Sequence, residues 1–279
     1  MVKTWLFAAF AALLTASCSP ATEEPRGWTV YAPLAGSSEA LPASGFLLVA
    51  NKFGNTLSVI NLDDGEELVR VDSCTNPHEL AASPDAEHVA LACYGGQTID
   101  IFSMADMSKV KSIDLGENAR PHGIVWHANG DLYATAEGRK SVLWVKDPLG
   151  TAETFPGLLG GIDVAVADLD GDQRAEVILM SDKESAIAIS RFEDGRLVFP
   201  EVVARPLDEH EFAAISVLNR GDESLLAVCM KKGSGSRASV KLQMLHTSGE
   251  EAWKDAVEVQ TLPAGAIGTR GMNLLSLDA

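Results

Sequence analysis

The sequence predicts an all-β protein whose main domain is a β-propeller, and three observations support this fold class. Short segments with alternating apolar and polar residues recur from Gly45 to the C-terminus, separated by turns rich in Gly, Asn, Asp and Pro. A sequence unit repeats with a period of 44 residues, and a period in the forties is typical of four-stranded propeller blades. No amphipathic helix pattern follows the N-terminal segment.

The first 18 residues are predicted to be a targeting segment. Lys3 provides a positive start, and the apolar run from Trp5 to Leu14 that follows is too short to span a bilayer. The run ends in LTASC (14–18), which resembles the lipobox of bacterial lipoproteins. This resemblance implies that Cys18 is lipidated and becomes the new N-terminus. An ordinary signal peptide that is cleaved nearby is the alternative.

Residues 19–44 are predicted to form a tether between the membrane and a propeller at residues 45–279. They are rich in Pro, Ala, Ser, Gly and Glu and have little apolar periodicity. Ser19 follows the cysteine, so by the sorting rule of enterobacterial lipoproteins the resemblance implies the outer membrane. We therefore expect a periplasm-facing protein of the bacterial cell envelope that contacts the membrane only through its lipid anchor.

Strand-like alternation is clearest in five segments of the main domain. They are LSVINL (57–62), TIDIFS (98–103), SVLWV (141–145), SAIAIS (185–190) and SVKLQML (239–245). Apolar residues at every second position place one face of each segment in a core. These segments predict strands of propeller blades.

The repeat is clearest where NPHELAASPDAEHVALAC (76–93) aligns with RPHGIVWHANGDLYATA (120–136). In this alignment His78 and His122 are 44 residues apart. The same frame fits residues 159–180 and 208–229 and, for one strand, residues 268–279. Ahead of the first frame, residues 45–71 supply three strands of a unit that lacks its first strand.

These units predict five four-stranded blades. Four complete units begin near residues 78, 122, 162 and 211, and the fifth is split between 46–71 and an innermost strand at 271–277. Closure by the C-terminal strand removes exposed sheet edges that would invite aggregation. Six or seven blades are the alternative. A two-sheet sandwich is the competing all-β fold, but it does not require a 44-residue register.

Residues 45–71, together with NPHELAASPD (76–85), resemble the YVTN family of propeller repeats. The resemblance covers residues 45–145 and implies the fold without implying a chemistry. Propellers of that family usually have seven blades. The prediction of five blades therefore comes from the units in this sequence and not from the resemblance.

The acidic composition restricts the class of partner. The chain has 39 Asp and Glu residues against 22 Lys and Arg residues, which gives a formal net charge of −17. Such a surface repels phosphate backbones, so nucleic acid is excluded as a partner. Cations are the one specific class of partner that this charge favours.

The acidic turn DLDGDQRAEV (168–177) is the sharpest local motif. Its carboxylates fall at positions 1, 3, 5 and 9 of a tight loop between two strands, and Ca²⁺ prefers such a group of oxygen ligands. The predicted ligands are Asp168, Asp170, Asp172, the backbone carbonyl of Arg174, and Glu176. The turn is similar to the calcium loop of FG-GAP and VCBS repeats, which also occupy propeller blades. An acidic turn that binds nothing is the alternative.

A second candidate site comes from the aligned residues at the start of each predicted innermost strand. These residues are His78, His122, Gly161, His210 and Arg270. Innermost strands line the central channel, so three imidazoles and a guanidinium are expected at one mouth. Such a cluster can hold Zn²⁺ or Cu²⁺ or attract an anionic ligand. The alternative is that each histidine caps the start of its strand and binds backbone.

Three cysteines remain beside Cys18, and an odd number allows at most one internal disulfide. The end of one antiparallel strand lies beside the start of its neighbour, so Cys74 can meet Cys93. This pair is the candidate disulfide. Cys229 is then expected to be a small buried residue, with metal ligation beside His210 as the alternative.

The sequence leaves three functions open, and it favours a non-catalytic binding or scaffold propeller with a protein or carbohydrate partner in the envelope. The second is a metal-dependent enzyme of lactonase or lyase type, in which His78, His122 and His210 would act with Glu79 or Glu211. The third is periplasmic redox or metal handling, by analogy alone. No catalytic residue is assigned, because the sequence has no P-loop, GxSxG, HExxH or CxxCH motif.

Overall fold

A computed structural model describes residues 45–157, 163–169, 175–181, 186–198, 201–220, 223–233, 239–257 and 259–262. Within these residues, 20 strands form five antiparallel sheets, and the only helix is a single 3-10 turn at Glu137–Arg139. The sheets are the blades of a β-propeller, so the predicted fold class is confirmed. The targeting segment, the tether and the predicted closing strand at 271–277 lie outside the described residues.

Four sheets belong to the compact unit that ends at Ala204. The first contains β1 (Phe46–Asn51), β2 (Thr56–Asn61) and β3 (Glu67–Asp72). The second contains β4 (Pro77–Ala82), β5 (His88–Cys93), β6 (Thr98–Ser103) and β7 (Lys109–Asp114). The third contains β8 (Pro121–Trp126), β9 (Leu132–Ala136), β10 (Ser141–Lys146) and β11 (Glu153–Gly157). Each is a meander in which consecutive strands pair.

The fourth sheet contains β12 (Asp163–Ala167), β13 (Glu176–Ser181), β14 (Ala186–Glu193) and β15 (Arg196–Leu197), and β16 (Glu201–Ala204) also pairs with β14. The fifth sheet belongs to the unit that starts at Arg205. It contains β17 (Glu211–Arg220), β18 (Glu223–Lys232), β19 (Ser239–His246) and β20 (Gln260–Leu262). No helix among the described residues is long and apolar enough to cross a lipid bilayer.

The core of the first unit lies between neighbouring sheets, and β5 shows how one strand serves two interfaces. Its residues Val89 and Leu91 pack with the apolar side chains of the first sheet. Its residues Ala90 and Ala92 point to the opposite face and pack with the third sheet. Successive side chains of a strand face opposite ways, so a blade between two others must be apolar on both faces. This explains the nearly continuous apolar sequence of β5.

The first strands of the second, third and fourth sheets, β4, β8 and β12, pack side by side. A β-bulge interrupts β4 near its start, because Pro77 pairs with Cys93 whereas Leu80 pairs with Leu91. β8 has the same interruption between Pro121 and Ile124. The extra residue of a bulge locally redirects the side chains. The two bulges therefore determine where the residues that follow each proline point.

Candidate metal centre

The turns before β4 and β8 have the same unusual backbone conformation. Asn76 and Arg120, which precede the prolines, have φ values of 54° and 49°. The right-handed helical region is disfavoured before proline, and few residues other than Gly and Asn adopt positive φ. Asn76 is held by its backbone N–H, which donates to Oδ1 of Asn55 at 2.8 Å. Each turn thus delivers a Pro-His dipeptide at a fixed angle to its strand.

A disulfide fixes the turn before β4. Cys74 and Cys93 are bonded, and their Cα atoms are 5.6 Å apart. The bond joins the turn to the end of β5, directly beside the Pro77–Cys93 pair that starts the β4–β5 ladder. Cys229 is buried and does not take part in a disulfide. The disulfide therefore restrains the backbone that carries His78.

His78, Glu79 and His122 meet where β4 and β8 adjoin. Nδ1 of His122 lies 3.2 Å from Oε1 of Glu79, and Nδ1 of His78 lies 3.6 Å from the same oxygen. The two imidazole rings are tilted by 40°, with their centroids 3.8 Å apart. One ligand atom from each of the three side chains lies within 4.8 Å of the others. The repeat thus brings His78 and His122 together, as the strand register predicts.

These three side chains are nearly removed from solvent. The exposed fraction is 8% for each histidine side chain and 16% for Glu79. Neither Nδ1 atom makes a hydrogen bond among the described residues, and Oε1 of Glu79 faces both of them as an ion-pair contact. A buried nitrogen without a partner costs free energy unless another group binds it. The arrangement therefore favours a bound group at this position.

The protonation states also suit a metal. Burial lowers the pKa of the His78 imidazole, and the neighbouring His122 lowers it further against the opposing effect of Glu79. Burial alone would raise the pKa of Glu79, but its contacts with His122 and His78 outweigh this effect and lower it. At neutral pH, Glu79 is therefore anionic and His78 is neutral. These are the forms that bind metal ions.

The spacing of the donors fits tetrahedral coordination. Zn²⁺ binds nitrogen and oxygen ligands at about 2.1 Å, which places two ligands of a tetrahedral site about 3.4 Å apart. The two Nδ1–Oε1 distances of 3.2 and 3.6 Å bracket this value. Two histidines and one carboxylate also leave coordination positions for a water or an exogenous ligand.

An aromatic and two basic side chains border this cluster. The ring centroid of Tyr94 is 5.3 Å from that of His78 and 5.6 Å from that of His122. Nζ of Lys52 is 5.0 Å and Cζ of Arg120 is 4.5 Å from the centroid of the Tyr94 ring. The Arg120 guanidinium also donates to the Tyr94 hydroxyl. Tyr94 therefore contacts both the donor cluster and two positively charged side chains.

His210, the third histidine of the predicted channel cluster, binds the turn before β17 and one side chain of β19. Its Nδ1–H donates to the carbonyl of Leu207 at 2.9 Å and lies 3.2 Å from the carbonyl of Asp208. Its Nε2 then accepts from the Ser239 hydroxyl at 3.1 Å. This is the strand-capping role that the sequence left open as the alternative. Arg270 and Gly161 lie outside the described residues.

We expect His210→Ala to lower the free energy of unfolding by about 1–3 kcal/mol, because buried partners of the ring lose their hydrogen bonds. Bound metal should remain at the wild-type level, since both ring nitrogens are already engaged. Urea denaturation and metal analysis of the same samples measure the two effects. Loss of metal with unchanged stability would contradict this assignment.

The acidic turn is described only at its two ends. Asp168 follows β12, and Glu176, which begins β13, is 6% exposed. Oε2 of Glu176 accepts a hydrogen bond from the backbone N–H of Leu169 at 2.8 Å. The other predicted ligands, Asp170, Asp172 and Arg174, lie outside the described residues, as does Cys18. The calcium loop and the lipid anchor therefore stay predictions.

The sequence pattern singles out Glu79 only as one of two alternative carboxylates, and it does not reveal Lys52, Tyr94 or Arg120. A signal for Glu79 is present, because Gly123 occupies the aligned position of the second repeat. A carboxylate in place of that glycine adds a ligand beside a histidine. The other three residues lie in turns whose meeting the repeat pattern does not reveal.

Comparison with known proteins identifies the fold but not a family. No protein-family model matches the sequence, and no curated protein matches it. Several solved structures do match. One is hydrazine synthase from Kuenenia stuttgartiensis, which has 14% sequence identity and a TM-score of 0.58 over 80% of this chain and 64% of that one. A catalytically inactive variant of virginiamycin B lyase from Staphylococcus aureus, with quinupristin, gives 14% identity and a TM-score of 0.54 over 81% and 83%. A structure of streptogramin B lyase has 12% sequence identity and a TM-score of 0.55, and the match covers 80% of this chain and 67% of that one. The chain thus spans less than two thirds of the hydrazine synthase chain.

Proposed function

We propose that this protein is a metal-binding propeller of the bacterial cell envelope, with a metal centre formed by His78, Glu79 and His122. One observation carries the proposal: two buried imidazole nitrogens without hydrogen-bond partners converge on one carboxylate oxygen. A structural histidine would instead resemble His210, whose ring nitrogens both have partners. The contrast between the two arrangements favours metal binding at the first.

The donor set points to a divalent transition metal, with Zn²⁺ as the first candidate. Imidazole nitrogens suit Zn²⁺, Cu²⁺, Fe²⁺ and Ni²⁺, whereas Ca²⁺ and Mg²⁺ prefer oxygen ligands. The nitrogen–oxygen distances of 3.2 and 3.6 Å are compatible with a tetrahedral site. In this role the propeller is a rigid scaffold, and the chemistry of binding comes from the starts of β4 and β8.

The proposed location in the envelope is supported by the disulfide. Disulfides persist in oxidising compartments and are rare in the bacterial cytosol, and Cys74 is bonded to Cys93. A tether at 19–44 and a lipid on Cys18 would hold the domain at the membrane. Export would also expose the centre to the metals and small molecules of the periplasm.

Metal analysis of the purified full chain, made without a polyhistidine tag, tests the proposed centre. After incubation with Zn²⁺ and removal of the excess, the wild type should retain about one equivalent that is not removed by dialysis. His122→Ala should retain little or none. His127→Ala is the matched control, because His127 lies just beyond β8, packs against the edge of Tyr133 and accepts a hydrogen bond from the backbone N–H of Asn129 at 3.4 Å. This variant should bind zinc like the wild type.

Two results would overturn the proposed centre. One is a wild-type chain that retains no transition metal after this treatment. The other is a His122→Ala chain that is folded and retains the full equivalent. The circular dichroism of each variant distinguishes loss of a ligand from loss of the fold.

A metal-dependent lyase or hydrolase is a second candidate, favoured by the three-donor set. Three protein ligands leave a position at which a metal can polarise a substrate or activate water. Structurally similar proteins include two streptogramin-type lyases. Turnover of quinupristin by the zinc-loaded wild type, and not by His122→Ala, would favour catalysis. A zinc-loaded chain that binds metal without turnover supports binding alone.

A further inference from the structure

Two basic side chains border the donor cluster in a chain whose formal net charge is −17. Lys52 lies in the turn after β1 and Arg120 in the turn before β8, and both contact Tyr94. The ring centroid of Tyr94 lies 5.0 Å from Nζ of Lys52 and 5.3 Å from the ring centroid of His78. Acidic residues dominate the sequence, so two cations beside one aromatic ring provide a local attraction for anionic ligands.

Arg120 has unused hydrogen-bonding capacity. Its guanidinium donates to the Tyr94 hydroxyl and makes no other hydrogen bond among the described residues. A guanidinium has five N–H donors in a planar fork that matches the geometry of a carboxylate or a phosphate. The remaining donors are therefore available for an oxyanion.

The space beside Arg120 is large enough for an organic molecule. A depression of about 420 Å³ is bordered by Tyr94, Gln97, Glu117, Asn118 and Arg120. Sites for small organic ligands occupy roughly 300–1,000 Å³. Amide side chains supply both donors and acceptors here, so a ligand with polar groups beside its anionic group suits this depression better than a bare inorganic ion.

The charge of the proposed centre adds to this preference. A divalent metal with two neutral imidazoles and one carboxylate has a net charge of +1. Lys52 and Arg120 each add one positive charge beside it. An anionic group is thus the electrostatic complement of the open coordination position.

We propose that the ligand completing this centre is a small organic carboxylate, bound by Arg120 and Lys52 beside Tyr94 with one oxygen directed to the metal. The proposal rests on the metal centre proposed above. An organic carboxylate is favoured over inorganic phosphate because the amide side chains of Gln97 and Asn118 beside Arg120 can bind further polar groups of an organic molecule. The rest of the molecule occupies the depression next to Gln97 and Asn118.

Calorimetric titration of the full zinc-loaded chain tests the proposal with malonate, malonamide and inorganic phosphate. Malonate should bind, whereas malonamide, which has nearly the same shape without the charge, should not. Arg120→Gln and Lys52→Gln should each weaken malonate binding at least about tenfold, since each removes a charge-assisted contact. Lys146→Gln, which removes an exposed charge on β10, should leave it unchanged.

Zinc content, measured on the same samples, separates the two proposals. A wild-type chain without zinc overturns the metal centre itself. A chain that binds zinc but not malonate, or that binds malonamide equally, overturns only the carboxylate proposal. Wild-type affinity of Arg120→Gln for malonate would also overturn the carboxylate proposal. Binding of phosphate tenfold tighter than malonate would overturn it as well. Retained zinc together with weakened malonate binding in Arg120→Gln supports both.

Discussion

Replacing Cys74 and Cys93 together with alanine is expected to lower the free energy of unfolding by about 3 kcal/mol. The disulfide links residues 19 positions apart, and a bond that closes a loop of this size removes many conformations from the unfolded chain. The bond also anchors the turn before β4. Its loss should therefore weaken zinc binding as well, because His78 follows that turn directly.

Urea denaturation with and without a reductant measures this effect. The reductant should destabilise the wild type and leave the double variant unchanged. Cys229→Ala is the control, since Cys229 is buried and outside the disulfide. This variant should keep the wild-type response to the reductant. Equal stability of the wild type and the double variant under oxidising conditions would contradict the prediction.

Glu79→Gln should weaken zinc binding at least about 100-fold. Removing groups that only orient metal ligands costs roughly 10–100-fold in affinity, and Glu79 is placed as a ligand itself. Glutamine keeps the size of the side chain, so the buried packing is preserved. The neutral amide oxygen is a weaker donor and leaves the metal's charge without compensation inside a nearly closed site.

Competition with a chromophoric chelator gives the zinc affinity of each variant. Glu211→Gln is a matched control, because Glu211 also follows a histidine at the start of a strand but is exposed. Glu79→Gly, which introduces the residue found at the aligned position of the second repeat, should fold and bind zinc no better than Glu79→Gln. Affinity of Glu79→Gln within threefold of the wild type would exclude Glu79 as a ligand.

The fold was predictable because propeller blades repeat their own sequence. The period of 44 residues, together with the alternation of apolar residues, predicted TIDIFS at the position that β6 occupies, Thr98–Ser103. Such a repeat reflects the packing between neighbouring sheets, which depends on the average hydrophobicity of each strand. The repeat is therefore recognisable in the sequence even where irregular turns interrupt the alternation of apolar residues.

The site was only partly predictable, because its geometry depends on turns and bulges. Register placed His78 and His122 at equivalent positions, but which neighbouring carboxylate joins them depends on the bulge in β4. His210 has the same register and a different role, since the carbonyls of Leu207 and Asp208 turn toward its ring. Such backbone directions are set by the conformation of a few turn residues, and periodicity carries no information about them.

The extra residue in β4 and β8 also has an evolutionary consequence. Duplication of a blade would copy the bulge together with the strand. Each copy would then carry the same redirected side-chain positions after the proline at the start of its first strand. β17 has a similar irregularity between Phe212 and Ala214. A glutamate at the position of Gly123 would place a carboxylate directly after His122, as Glu79 follows His78. Chains built in this way can acquire new chemistry without any rearrangement of the scaffold.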